Sequence, residues 1–201
     1  MIDVRAKKVL GKFTLDAEMR DEGFICLTGK NGSGKSTFLN IVAGTLPLDE
    51  GLVRIDAKDL THLPLEKRKI VLVTPDSYIP HLSVDKHLIW GARISGVKPD
   101  PTQVQKVMST LGIVQAEKVA KLSLGTRERV SLATAIISKP RVILVDETFS
   151  NIDSRDQFIF EFRKLTSESG IEVIFTTQFQ DDATNADHQY LMEAGKMSKV
   201  F

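Results

Sequence analysis

The chain has 201 residues, 42% of them apolar and 26% charged, with a formal net charge of +1 at pH 7. That length suits one domain with a proper core, and the near-neutral charge gives no bulk electrostatic reason to expect nucleic acid or an anionic membrane as partner. The single cysteine excludes an internal disulfide, the four histidines show no metal-ligand spacing, and neither an N-terminal apolar signal core nor a membrane-length apolar stretch is present.

In chain order, Val4-Arg5-Ala6 and Phe13-Thr14-Leu15 read as short edge strands around a Gly11-Lys12 turn. Phe24-Ile25-Cys26-Leu27-Thr28 is an apolar run that reads as a buried strand, with Cys26 a structural thiol inside it. It leads into Gly29-Lys30-Asn31-Gly32-Ser33-Gly34-Lys35-Ser36, followed by Thr37, and then into Phe38, Leu39, Ile41 and Val42 at helical spacing, with Gly44 to stop the helix. This is the phosphate-binding loop pattern. Gly29, Gly32 and Gly34 let the backbone fold tightly so that its N–H groups, with those of Asn31 and Ser33, point at phosphate oxygens. The helix that begins there adds its positive dipole end. Lys35 reaches the β- and γ-phosphates, and the Ser36 hydroxyl binds Mg²⁺.

Asp49-Glu50-Gly51 turns the chain into a strand at Leu52-Val53-Arg54-Ile55, and Ile70-Val71-Leu72-Val73 reads as a core strand ending at Thr74. From about Pro75 to Ile137 the pattern is helical. Ser83 caps one helix through His87, Leu88 and Trp90, and Pro99-Asp100-Pro101-Thr102 opens another whose Val104, Val107, Met108 and Leu111 share a face. Strand character returns at Val142-Ile143-Leu144-Val145 and Val173-Ile174-Phe175-Thr176, with an amphipathic helix (Phe158, Phe162, Leu165) between them. Strands alternating with helices predict an α/β fold: a phosphate-loop NTPase core with a mainly parallel sheet, a small antiparallel β edge and an inserted helical lobe. Residues 1–201 form one domain in this reading, with the core at about 1–74 and 139–201 and the lobe at about 75–138. The strand before Asp146-Glu147 delivers an Asp at its C-terminal edge, as phosphate-loop proteins do to hold Mg²⁺. Glu147 is then placed to orient or deprotonate the attacking water.

Gly29 to Ser36, Leu122-Ser123-Leu124-Gly125-Thr126, Asp146-Glu147 and Ser150-Asn151-Ile152-Asp153 occur in the order found in ATP-binding-cassette (ABC) ATPases. The chain resembles that family over nearly its whole length, and most strongly the ATPase subunits of importers such as those for molybdate, tungstate or maltose. The resemblance implies ATP and Mg²⁺ as cofactors and two ATP molecules sandwiched in a head-to-tail dimer with a second ABC subunit. Ser123 and the Gly125 backbone would then touch the γ-phosphate bound by the partner, and Ser150 to Asp153 would cross the dimer interface. The helical lobe would contact transmembrane permease subunits, leaving the protein cytoplasmic and peripheral to the membrane, with no nucleic acid partner. The N-terminus of the helix after Ser123 is also, by its own chemistry, a place for free N–H groups to bind an anion.

The chain departs from the family pattern at several positions. Leu124 and Thr126 replace Gly and Gln of the signature. Thr74 or Pro75 stands where a Gln would contact Mg²⁺, and Gln178 follows Phe175-Thr176-Thr177 where the switch is His. Gln donates a hydrogen bond but carries no proton at neutral pH. The adenine-stacking aromatic falls near Leu10, with Phe13 the nearby ring, and Thr148 replaces Pro. Lys199-Val200-Phe201 follows soon after the core, so a C-terminal regulatory domain is not expected. The reading is an ABC transporter subunit that binds and slowly hydrolyses ATP, with Lys35, Glu147 and Gln178 as its catalytic groups and Ser36, Asp146 and Thr74 at the metal. The alternatives are a nucleotide-gated module poor in hydrolysis and a soluble ABC ATPase of translation or DNA repair.

Overall fold

The computed structural model describes residues 1–114 and 118–201; the part of the expected helical lobe at 115–117 lies outside the described residues. Strands β1 (Ile2–Leu10) and β2 (Phe13–Asp21) form a hairpin turned at Gly11, where φ is 61°. Each is nine residues long, three times the stretch legible from apolar residues alone. The extension is physical: Ile2, Val4 and Ala6 alternate with outward Asp3 and Arg5, and Leu15, Ala17 and Met19 alternate with outward Asp16 and Glu18. One face of this antiparallel region packs on the core and the other meets water. Strand β4 (Glu50–Ile55) pairs antiparallel with β1, and the two-residue β5 (Lys58–Asp59) lies beyond it.

The parallel part comprises β3 (Phe24–Thr28), β6 (Ile70–Val73), β7 (Val142–Asp146), β8 (Glu172–Thr177) and β9 (His188–Glu193). With β10 (Lys196–Lys199), all ten strands form one mixed sheet in the order β5-β4-β1-β2-β10-β9-β3-β8-β7-β6. Neither β9 nor β10 is anticipated by the sequence reading. They form an antiparallel pair at the Ala194-Gly195 turn, and β10 joins the two halves of the sheet by a single parallel bridge to β2. Every residue of β3 is buried because both faces of the sheet are covered there. Ile25 and Leu27 project to the face covered by helix α1 (Lys35–Ala43), and Phe24 and Cys26 project to the other.

Helices α2 (Val84–Ile94), α3 (Pro101–Thr110) and α4 (Leu124–Ile137) lie between β6 and β7 in the chain. Their starts follow capping chemistry. Ser83 Oγ accepts from Lys86 N at 3.4 Å, Asp100 Oδ1 accepts from Thr102 N at 2.9 Å with Pro101 at the first helical position, and Ser123 caps α4. Val84, Leu88, Val107, Met108, Val130 and Ile136 from these helices belong to the same apolar cluster as Ile143, Val145 and Phe175 of the sheet. The helical segment therefore shares a core with the strands.

Helix α1 ends at Gly44, whose N–H reaches the carbonyls of Asn40 (2.9 Å) and Ile41 (3.0 Å) at a φ of 89°. Buried Arg68 lies across that glycine, where a Cβ would collide with its guanidinium, and donates to the carbonyls of Val42, Thr61 and Leu63. A cation at the end of α1 complements the negative end of the helix dipole.

On the opposite face, helix α5 (Arg155–Glu168) packs Phe158 and Phe162 against Phe149, which is 1% exposed. Ring centroids of Phe158, Phe162 and Phe175 lie 6.0, 5.6 and 5.5 Å from that of Phe149. Phe149→Ala removes the centre of this cluster two residues after Glu147. It is expected to cost about 3–5 kcal/mol of stability, measured by urea unfolding against wild type.

Candidate active site

The loop between β3 and α1 takes its form from close approaches that only glycine permits. At Gly29 a Cβ would collide with the Met192 carbonyl oxygen. At Gly34, where φ is 114°, a Cβ would lie 2.9 Å from Phe13 Cζ and 3.1 Å from Met192 Sδ. The turn after β9 braces the loop from outside, with Gly195 N donating to Ser33 O at 2.8 Å. No acidic residue occupies the first turn of α1, so its N-terminal N–H groups face no competing carboxylate there. Lys35 is 3% exposed, and its ammonium donates to the carbonyls of Gly29 (2.8 Å) and Lys30 (3.3 Å) and sits 3.3 Å from Glu147 Oε1.

Strand β7 delivers the two acids. In the β7–β8 pairing Asp146 stands opposite Thr176. The Thr176 hydroxyl donates to Asp146 Oδ1 at 2.7 Å and accepts from Glu147 N at 3.0 Å. Glu147 itself has a φ of 53°, the left-handed region that side-chain-bearing residues rarely enter. The next residue, Thr148, is fully buried, with its hydroxyl 3.2 Å from Val73 O and 3.1 Å from Asp146 O, tying the end of β7 to the end of β6. A proline there, with no hydroxyl, would have neither contact.

One cleft of about 520 Å³ brings together Asn31, Gly32, Gly34, Lys35, Ser36, Thr37 and Glu147, with Leu10 and Phe13 on its wall. An adjoining cleft of about 670 Å³ holds the other side of the loop, including Gly29 and Ser33, with Gln178 and residues 191–194 of β9 and its turn. The two share Asn31 and Gly32, so Gln178 stands across the loop from Glu147 rather than in its cleft. Its neighbours are fixed: Thr177 Oγ1 donates to buried Asp182 at 2.6 Å, and Arg155 Nε donates to the other oxygen of Asp182 at 2.7 Å. Ser33 Oγ is buried in the loop without a hydrogen-bond partner.

Four of the expected site residues line neither cleft: Asp146, which sits beside Glu147 at the end of β7, and Thr74, Ser123 and Gly125. Thr74 closes a local turn, its N–H donating to Ser77 Oγ at 2.9 Å and its hydroxyl 3.0 Å from the same atom, and it lines neither cleft. Ser123 and Gly125 also line neither cleft. Ser123 Oγ accepts from Thr126 N at 3.3 Å as the cap of α4, and a Cβ on Gly125 would collide with the Asn151 carbonyl oxygen. Asn151 Nδ2 in turn donates to Glu128 Oε1 at 2.9 Å, and Arg129 donates to Leu111 O at 3.0 Å and Asp153 O at 2.8 Å. Glu128 is fully buried, and that burial pushes its carboxyl up despite the Asn151 bond. Residues 123–129 and 151–153 are therefore one packed unit. The contacts of Thr176, Glu128 and Asn151, and that of Thr148 with Val73, have no signal in the sequence, because each joins positions brought together only by folding.

Among the described residues no group of three or more His, Cys, Asp or Glu side chains could hold a metal ion. The oxygens that are available, the exposed Ser36 hydroxyl and the Asp146 carboxylate, suit Mg²⁺, which takes few protein ligands and completes its shell with water and phosphate oxygens. No described helix is long and apolar enough to cross a membrane.

A family model described as "ABC transporter" matches residues 14–150. The chain is 33% identical over 214 residues to the molybdate/tungstate import ATP-binding protein WtpC of Archaeoglobus fulgidus, an alignment covering all of this chain and 89% of that protein. It is 34% identical over 185 residues to the spermidine/putrescine import ATP-binding protein PotA of Aggregatibacter actinomycetemcomitans, covering 88% of this chain and 50% of that one. The chain thus spans nearly all of WtpC and about half the length of this PotA. Among solved structures, a nucleotide-free ATP-binding cassette from an ABC transporter superposes with a TM-score of 0.82 at 23% identity, covering 99% of this chain and 90% of that one. A dimeric cassette in a post-hydrolysis state with ADP and Pi gives 0.81 at 20% identity, covering 100% and 99%. At these identities the two structures speak to the fold.

The contact between Gly125 and the Asn151 carbonyl generates a test. Gly125→Ala forces backbone against backbone, so the start of α4 and the 148–151 turn must separate. The variant is expected to lose about 1–3 kcal/mol in urea unfolding, whereas Leu124→Ala, at a side chain 47% exposed, is expected to lose less.

Proposed function

This chain belongs to the ABC transporter family of ATP-binding proteins, and from that premise we propose that it binds and hydrolyses ATP as the nucleotide-binding subunit of an importer. The observation that carries the proposal is the cleft in which Asn31, Gly32, Gly34, Lys35, Ser36 and Thr37 of the phosphate loop meet Glu147. A triphosphate entering it offers Lys35 stronger, charged acceptors than the carbonyls of Gly29 and Lys30. As Lys35 turns to the β- and γ-phosphates, Glu147 loses its ion-pair partner and becomes the base for the attacking water. Lys35 and the N–H groups of the loop and α1 stabilise the charge that develops on the phosphate. Leu10 and Phe13 on the cleft wall are the apolar groups placed to meet a base. Mg²⁺, held by Ser36 and Asp146, would shield the phosphates, and Thr74, engaged with Ser77, would act there only after leaving that turn.

Ser123 and Gly125 lie away from the loop of their own chain, which supports the head-to-tail arrangement in which they meet the nucleotide of a second ABC subunit. The helical segment at about 75–138 would take the transmembrane permease subunits, on the cytoplasmic side of the membrane, with the remainder as catalytic core. The importer reading draws on the likeness to WtpC and PotA, both import ATP-binding proteins.

Lys35→Ala is expected to abolish Mg-ATP binding in a titration with fluorescent nucleotide. Glu147→Gln should keep binding and accumulate an ATP-dependent dimer in size-exclusion chromatography. A Glu147→Gln variant that binds ATP and stays monomeric counts against the head-to-tail model.

Gln178 approaches the loop from the adjoining cleft, where it supplies a hydrogen bond to the γ-phosphate but no charge. Losing one oriented transition-state donor costs about 2.7–4 kcal/mol, and Gln retains part of that. Wild-type hydrolysis should therefore be slow, and Gln178→His should raise phosphate release by about tenfold to a hundredfold. Equal rates for wild type, Gln178→His and Gln178→Ala, all above the Glu147→Gln background, would remove Gln178 from the mechanism. A wild-type rate no higher than that background favours the nucleotide-gated module instead.

A further inference from the structure

We infer that Thr176 is a positioning residue of this site: one buried hydroxyl orients the Asp146 carboxylate and fixes the Glu147 peptide, so that Mg²⁺ response and hydrolysis both depend on it. The inference rests on the assignment of Asp146 and Glu147 made above. Thr176 is 1% exposed and lines neither cleft at the loop. It acts through the two acids.

The hydrogen-bond inventory leaves the hydroxyl only one arrangement. A threonine hydroxyl has a single proton and accepts with its lone pairs. Glu147 N–H can only donate, so at 3.0 Å it uses a lone pair of Thr176 Oγ1. The proton is then directed to Asp146 Oδ1 at 2.7 Å, a charge-assisted bond. Register makes this possible, because Asp146 and Thr176 are direct partners on adjacent parallel strands and project to the same face. The neighbouring threonine cannot substitute. Thr177 projects the other way, donates to Asp182 at 2.6 Å and accepts from Phe179 N at 3.1 Å.

The second half of the device is backbone strain. Glu147 sits at a φ of 53°, a conformation that persists in a non-glycine residue when its surroundings over-determine it. Its N–H is held by Thr176, and the carbonyl before it is met by the Thr148 hydroxyl at 3.1 Å. The junction so held places Glu147 Oε1 3.3 Å from Lys35 Nζ. Valine at 176 has nearly the same shape but would leave the Glu147 N–H without an acceptor and Asp146 one donor short. Both acids would then be free to take other positions.

Groups that orient a metal ligand typically affect metal affinity or activity by about 10- to 100-fold. The test compares wild type with Thr176→Val and Thr176→Ser by fluorescent-nucleotide titration in EDTA and across a Mg²⁺ series, and by steady-state phosphate release. Thr176→Val should bind nucleotide in EDTA as wild type does. It should need about tenfold more Mg²⁺ for half-maximal tightening and lose about tenfold to a hundredfold in kcat, with a smaller change in KM for ATP. Thr176→Ser, which keeps the hydroxyl, should restore both. If Thr176→Val fails to fold, Thr176→Ala carries the same expectations. A folded hydroxyl-free variant with a lowered Tm but wild-type Mg²⁺ response and kcat would overturn the inference and leave Thr176 as packing. If wild type hydrolyses nothing above the Glu147→Gln background, the ATPase reading fails, while the Mg²⁺ dependence of binding still decides the role of Thr176.

Discussion

The Lys35 ammonium is almost entirely removed from water, and a buried charge of that kind persists only when it is paired and hydrogen-bonded. Two loop carbonyls and Glu147 meet that demand in this protein. The constraint binds the first third of the chain to the last third. The loop must curl so that Gly29 and Lys30 present their oxygens inward, and β7 must end where Glu147 can reach. Glycine at 29 and 34 and left-handed backbone at 147 are the local conditions for that closure. The same arrangement explains how a triphosphate would couple binding to chemistry, since the group that recruits the phosphate also holds the proposed base.

What brings the loop and the acids together is strand order. With β3, β8 and β7 adjacent and parallel, residues 28, 177 and 146 end at one edge of the sheet, where ligands of open α/β sheets bind. The opposite edge is used for attachment. There Arg141, just before β7, donates to Glu172 at the start of β8 at 2.8 Å, to Gly170 O at 2.7 Å and to Asp56 beyond β4. Hydrogen bonding from Arg141 holds the Asp56 carboxyl well below the usual carboxylate range, against the opposing effect of burial. This partly exposed cluster contributes stability above the ordinary Asp pKa and loses it as pH falls into the acid range. It leaves the loop edge of the sheet free.

The helices between β6 and β7 are coupled to the site through backbone as well as core packing. The start of α4 touches the 148–153 turn at Gly125, Glu128 and Arg129, and that turn follows Glu147 directly. On the other side, Arg127 donates to the Tyr78 hydroxyl at 3.1 Å, and Ser131 donates to Ser77 O at 2.7 Å. Helix α4 therefore touches both the 74–78 turn and the 148–153 turn, the two segments that leave β6 and β7 at the loop edge of the sheet.

Contiguous chemistry was legible from the amino acids alone. The loop from Gly29 to Ser36, the apolar strand ending in Asp146-Glu147, the Ser83 cap, the helix opening at Pro99-Asp100-Pro101-Thr102 and the α/β alternation each depend on residues within a few positions of one another, where spacing carries the signal. Tertiary structure decided the rest. The full length of β1 and β2 follows from which face of each strand meets the core, and β9 and β10 exist because β3 and β2 offer them edges to pair with. The placement of Gln178 across the loop from Glu147, the glycine required at 125 by a carbonyl 26 positions away, and the Thr176 hydroxyl shared by two acids 30 and 29 positions before it are all set by strand register and helix packing. A hydrogen bond across strands leaves no trace in local composition, since threonine in a buried strand is also an ordinary β-former. Only the pairing of β7 with β8 turns it into part of a site.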